Sequence, residues 1–306
     1  MFSKSLKAAL GATLIATTAA AQDSADGVYF SGFAQSEYYQ AASKMSGYYA
    51  SGTFGYAPGA SSSFPLGFEV KVRQMGNTTP AADLREAYSV LFLNTGFGRL
   101  NVGAAESAAA NILPENAFTD ASLYGISTFT IRQTSSYFQV LGGITGAGAS
   151  LVGTASNLDY ALSLHSYPGI TITDIGLRRD LGGIAISGAA QYVQFAAVST
   201  AVYFQIGAEG QAGGFDFGAT YGYTALFGIA DAYADAYVGR QVTPRLYVKA
   251  SAAGSASAAL GTLYGLSATF NVLENGYVRA AVYGGSSAAN RVFVGLGIRT
   301  SDLVHR

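Results

Sequence analysis

The segment Phe68-Glu69-Val70-Lys71-Val72-Arg73 alternates an apolar side chain with an ionised one without a break. A β-strand turns successive side chains to opposite faces, so this segment has one face of hydrocarbon and one face of charge. The pattern recurs. Val202, Phe204 and Ile206 alternate with Tyr203 and Gln205 ahead of Glu209, and Leu246 and Val248 alternate with Tyr247 and Lys249. Val292, Val294, Leu296 and Ile298 are set against Arg291, Phe293, Gly295, Gly297 and Arg299. A soluble sandwich alternates too, but it clothes its outer surface in charge. Here charged residues are 11% of 306, about half the ordinary fraction. Something other than water must meet much of the exterior.

Helical membrane proteins meet that need with apolar runs of about 20 residues. The two long uncharged stretches, 133–158 and 250–273, are diluted with Gly, Ser, Thr and Asn and lack sustained Leu, Ile and Phe. In hydrocarbon every backbone polar group must be paired internally, which leaves a closed sheet as the spanning solution. The expected fold is all-β, a transmembrane antiparallel β-barrel.

Turn chemistry gives its connectivity. Short clusters separate the alternating runs at Asn94-Thr95-Gly96-Phe97-Gly98, Asp180-Leu181-Gly182-Gly183, Gln211-Ala212-Gly213-Gly214, Gln241-Val242-Thr243-Pro244 and Glu274-Asn275-Gly276. Ser156-Asn157 and the stretch 58–65 complete a set on one side of the membrane. The spacing predicts strands near 27–39, 46–57, 65–75, 85–94 and 98–104, one within 130–153, and ten more to about residue 300, about 16 in all. Tyr38-Tyr39, Tyr48-Tyr49, Tyr160, Tyr167, Tyr192 and Tyr283 fall near predicted strand ends, where a barrel wall meets the headgroups. Residues 104–128 break the strand pattern and form the longest irregular connection. Within them 105–113 reads as a short helix stopped by Pro114.

The N-terminus has Lys4 and Lys7 ahead of an apolar stretch that ends in Ala19-Ala20-Ala21, the order of a Sec signal peptide cleaved near Ala21. The division is thus 1–21 signal peptide and 22–306 barrel. Without Lys4 and Lys7 the chain has fifteen basic against eighteen acidic side chains, a balance that does not favour nucleic acid. Cys is absent and His occurs only at His165 and His305, so no thiolate or zinc chemistry and no cofactor is expected. His165 reads as a lumen or rim residue. Asp231, Asp235, Arg178, Lys249 and Arg279 fall on the inner face, where polar side chains keep the lumen wet.

Thr95-Gly96-Phe97-Gly98-Arg99-Leu100-Asn101-Val102-Gly103 resembles the turn and fifth strand of the trimeric general porins of Gram-negative bacteria, alphaproteobacterial ones especially. The resemblance in layout extends over the mature chain. It departs in having Ala104 where the family often has a basic residue, and in ending with Ser301-Asp302-Leu303-Val304-His305-Arg306 where the family commonly ends on an aromatic. The resemblance implies an inward-folded third loop whose acidic residues face a basic cluster on the wall. Carried onto this chain, the loop acids are Glu106, Glu115 and Asp120, and the wall bases are Lys71, Arg73, Arg99 and Arg85. It also implies passive diffusion of small hydrophilic solutes and ions across the outer membrane, a homotrimer, and contact with outer-membrane lipid and lipopolysaccharide.

Other functions remain in view. A barrel enzyme, such as a lipase or protease, needs a nucleophile beside a base, and the chain shows no Ser or Asp pattern around His165 that supplies one. A non-conducting structural or adhesion barrel would have fewer strands and longer outer loops. A substrate-specific channel differs from a general one only in its lumen contacts.

Overall fold

The alternation is realised as sixteen strands joined into one closed antiparallel barrel. The computed structural model describes residues 27–40, 44–59, 65–77, 84–114, 117–118, 146–196, 200–226, 229–256, 261–286 and 291–299. The signal peptide and its cleavage point lie outside them. In chain order the strands are β1 (Gly27–Gln40), β2 (Lys44–Ala57), β3 (Leu66–Asn77), β4 (Leu84–Thr95) and β5 (Gly98–Ala104). After a short helix α1 (Ala108–Ile112) come β6 (Ala147–Ala155), β7 (Leu158–Tyr167), β8 (Ile170–Asp180), β9 (Ile184–Phe195), β10 (Thr200–Ala212) and β11 (Phe215–Leu226). The ring is completed by β12 (Ile229–Thr243), β13 (Leu246–Ser255), β14 (Thr262–Asn271), β15 (Gly276–Gly285) and β16 (Arg291–Arg299). The strand expected within 130–153 is β6, which runs two residues past that range to Ala155.

Each strand pairs with its sequence neighbours, and the ring shuts where β1 meets β16, from Phe33↔Arg299 to Gln40↔Val292. The expected turns connect the strands. Between β10 and β11 the two loop residues Gly213 and Gly214 have φ of 59° and 78°, the left-handed pair that matches the twist of a two-residue hairpin. At the end of β8, Asp180 Oδ1 accepts from the backbone N–H of Gly182 at 2.8 Å and of Gly183 at 3.1 Å, which fixes the turn into β9.

Parity sorts the side chains as the sequence predicts. Leu162, Leu164, Ile175, Leu177, Phe204, Ile206, Leu266 and Leu296 point outward and are exposed, while Gln205, Glu86 and Ser163 on neighbouring positions are buried inside. A band of bare Leu, Ile, Val and Phe around a sheet with a polar interior is what a lipid-facing barrel requires. Among the described residues no helix is long and apolar enough to cross a membrane.

The tyrosines correct one expectation. Tyr38 and Tyr192 are exposed on the outside, but Tyr39, Tyr167 and Tyr283 are buried on the inner face. Adjacent tyrosines such as Tyr38 and Tyr39 cannot share a surface, because the period of two sends them to opposite ones. Inner rings lie along the wall. Tyr233 and Tyr283 sit directly across from Gly222 and Gly265, and a β-carbon at either glycine would collide with the ring. Glycine thus lets the ring lie flat on the neighbouring strand.

The β5–β6 connection folds inward. Ser107 caps α1 by accepting the Ala110 N–H at 3.2 Å, and the backbone turns out of the helix at Leu113, just before Pro114. The helix packs on β7, β8 and β9. Ala108, Ala109 and Ile112 are buried there, with Ile112 over Gly176. Farther along, Pro114 covers Gly207, and Phe118 stacks 6.0 Å from Tyr283 within a cluster that includes Tyr39 and Phe293.

Leu266→Arg, on the outer face of β14, is expected to destabilise the lipid-embedded barrel by about 2–4 kcal/mol, read by denaturant unfolding in phospholipid vesicles. An unchanged midpoint would mean that this face does not meet lipid.

Candidate pore lining

The expected charges gather on the lumen wall of β3, β4 and β5. Lys71 and Arg73 share the inner face of β3, two residues apart. Glu106, two residues beyond the end of β5, reaches back to them: Lys71 Nζ lies 2.6 Å and Arg73 Nη2 3.4 Å from Glu106 Oε1. A further carboxylate belongs to the group. Glu86 stands opposite Arg73 in the β3–β4 register, 3.3 Å from its Nη1, and also accepts from Tyr88 OH at 2.8 Å. Two bases and two acids therefore form one balanced, half-buried cluster.

Arg99 stands apart from it. Its guanidinium lies over the Phe92 ring at 3.6 Å, donates to Asn101 Oδ1 at 2.8 Å and makes a loose pair with Glu69 at 3.5 Å. Glu69 also accepts from Tyr29 OH at 2.5 Å. Arg85 is not brought to the lumen. It pairs with Gln74 across β3–β4 and is exposed on the outer face, because Glu86, one residue on, takes the inner one. Glu115 and Asp120 lie outside the described residues. Glu86 was within reach of the sequence once the parity of β4 was fixed, since Glu86, Tyr88 and Phe92 share one face.

The rest of the lumen is polarised. Among the described residues, the inner face of β7–β12 carries Asp159, Asp174, Asp180, Glu209, Asp216, Asp231 and Asp235 against Arg178, which pairs with Glu209. The inner face of β13–β16 carries Lys249, Arg279, Arg291 and Arg299 and no acid. Asp231, Asp235, Arg178, Lys249 and Arg279 thus face inward as expected. Fixed charges of opposite sign on the walls of a water-filled passage bias ions and orient polar solutes.

Under α1 lies a buried group that the sequence did not reveal. Ser163, His165 and Asp174 are nearly solvent-free. Ser163 Oγ donates to Asp174 Oδ2 at 2.8 Å and accepts the Ala108 N–H at 2.8 Å, while His165 Nε2 lies 3.6 Å from the same carboxylate oxygen. A hydrolytic relay needs the serine to give its proton to the histidine. Here it gives it to the aspartate. On the far wall Asp235 Oδ1 accepts the Ala117 N–H at 3.2 Å, and Ser251 Oγ donates to Ala117 O at 2.8 Å. Among the described residues no group of three or more acid, His or Cys side chains is arranged to hold a metal.

The fold is shared with solved porin structures. A variant of the Rh. blastica porin with two introduced tryptophans aligns with a TM-score of 0.67 at 13% identity, covering 89% of this chain and 100% of that one. A triple mutant of the Rhodopseudomonas blastica porin gives 0.63 at 12% identity with the same coverage. Another variant of that porin, with a lysine and an arginine two positions apart both replaced by alanine, gives 0.62 at 11%. At these identities the likeness establishes the fold. No protein-family model and no curated protein matches the sequence.

Glu106→Gln removes one acid from the balanced cluster and leaves two bases, Lys71 and Arg73, against one acid, Glu86, which pairs with Arg73. If the lumen conducts, the ratio of anion to cation permeability is expected to rise, read as a shift of reversal potential across a salt gradient. Lys71 and Glu106 are only 18% and 14% exposed, so losing this carboxylate undercompensates two largely buried bases and is expected to lower the unfolding midpoint as well. A reversal potential equal to that of the unaltered protein would remove Glu106 from the conduction path.

Proposed function

We propose that this chain is an outer-membrane porin through which small hydrophilic solutes and ions diffuse passively. The observation that carries the reading is the pairing of a bare apolar exterior with a charged interior, in a closed sixteen-strand barrel whose third loop brings Glu106 to Lys71 and Arg73. The Lys-x-Arg spacing on β3 has the residue types and separation altered together in the Rh. blastica variant. Lys71, Arg73, Glu106 and Glu86 form the constriction cluster in this reading, with Glu115 and Asp120 as further loop acids and Arg99 as a wall base nearer the turns. Arg85 has no part in it.

The polarised wall favours transport over a filled structural barrel, because packed lumens pair their charges locally. The chain carries no enzymatic activity in this reading, and the Ser163–Asp174 bond, which directs the serine proton away from His165, supports that. Export by the Sec pathway with cleavage near Ala21, insertion among outer-membrane lipid and lipopolysaccharide, and assembly as a homotrimer complete the proposal. The small outward residues Ala232, Ala234 and Ala236 on β12 suit a flat contact between barrels.

Single-channel recording of the purified protein in a planar bilayer tests it. Stepwise, long-lived currents that appear in threes are expected. Silence from protein shown by circular dichroism to be folded as β-barrel would overturn the porin reading, and single steps that never group would overturn the trimer alone.

A further inference from the structure

Asp174 is enclosed beneath the inward loop with one hydrogen bond to show for its charge. Its side chain has no solvent exposure, and Oδ1 has no hydrogen-bond partner among the described residues. The bond that it does make continues into the loop: Ala108 N–H to Ser163 Oγ, then Ser163 O–H to Asp174 Oδ2, each 2.8 Å. A hydroxyl has one proton, so while Ser163 gives it to the carboxylate, only its lone pairs are left for Ala108. The direction of both bonds is thereby fixed. Chains of this kind strengthen when they end on a charge. Ala108 opens α1, and its N–H has no acceptor within the helix. The wall supplies one.

His165 faces the same oxygen at 3.6 Å, and its Nε2 also has no hydrogen-bond partner among the described residues. Among the described residues no other charge stands at this level on the elements packed here. The sequences of α1, β6 and β9 contain no Asp, Glu, Lys, Arg or His. On β7 the other acid is Asp159 at the turn, bonded by Thr154, and on β8 the inner Arg178 is committed to Glu209, with Asp180 in the turn beyond. The loop's Glu106 is held by Lys71 and Arg73. A buried carboxylate is costly unless it is hydrogen-bonded, and among the described residues the Ser163 hydroxyl is the donor that Asp174 has.

We propose that Asp174 is a positioning residue for the inward loop, acting through Ser163. The carboxylate orients the Ser163 hydroxyl so that its lone pair faces the Ala108 N–H, and losing either group breaks the Ala108–Ser163–Asp174 chain. The consequence for conduction rests on the porin reading; the hold itself does not.

Two readouts keep the two apart. Amide hydrogen exchange in detergent micelles reports Ala108 directly, whether or not the barrel conducts. Ser163→Ala should exchange about five- to tenfold faster at Ala108, and Ser163→Thr, which keeps the hydroxyl, should restore protection. Asp174→Asn, which puts a neutral acceptor in place of the carboxylate, should also exchange faster than the unaltered protein. In planar bilayers Ser163→Ala and Asp174→Asn should raise open-channel noise several-fold, and Ser163→Thr should not. Full protection at Ala108 in Ser163→Ala would overturn the proposal. Silence in the bilayer with the expected exchange pattern would sink the porin reading and leave the latch standing.

Discussion

The rest of the structure depends on one act of pairing, the meeting of β1 with β16. An antiparallel sheet immersed in hydrocarbon has two edges whose N–H and C=O groups find no water, and each unpaired group costs several kcal/mol. The seam from Phe33↔Arg299 to Gln40↔Val292 removes both edges at once. A domain holds only about 5–15 kcal/mol of net stability, so a barrel left open along this line would not persist in a bilayer. Closure by antiparallel pairing also requires an even number of strands, which puts both ends of the barrel on the side of the short turns and leaves the other side for longer connections.

Once the sheet is closed, parity makes the barrel a boundary between two solvents. Outward positions meet lipid and inward ones meet whatever fills the interior, so the charges of Phe68-Glu69-Val70-Lys71-Val72-Arg73 have one place to go. A wet interior also needs room. Tyr233 and Tyr283 illustrate how large side chains avoid filling it: each lies on a glycine of the neighbouring strand and presents its edge, not its length, to the lumen. The glycines therefore do more than make turns. They let the aromatic residues lie along the wall.

The barrel itself was legible in the sequence because its determinants are local. Alternation and turn residues act within a dozen positions, and they placed the strands, the even count and β6 within its long uncharged stretch. They did not place what depends on the loop. Glu86 escaped notice because the parity of β4 could be read either way, and Arg85, its neighbour, took its place. The Ser163–Asp174–Ala108 chain had no signal at all, since Ser163 and Asp174 meet by register between β7 and β8 while Ala108 arrives from a loop that must first fold inward. Tyr39, Tyr167 and Tyr283 were misread for a related reason. Nearness to a strand end says how far along the barrel a residue lies, not which side of the wall it faces.

The loop is held in two chemically distinct ways. At its root a side chain is bound, Glu106 by the bases of β3. Beyond the root the backbone is bound, at Ala108 through Ser163 and at Ala117 by Asp235 and Ser251. Backbone groups are the same whatever the residue, so the second kind of contact fixes position without specifying which side chains the loop presents. The root contact does the reverse: it fixes charge, and its geometry follows from where the backbone contacts hold the loop. Substitution of loop side chains can therefore alter the charge presented at the root while these backbone contacts stay the same. On the hold proposed above, a change at Asp174 or Asp235 frees the backbone at Ala108 or Ala117 and also removes an acid from the wall.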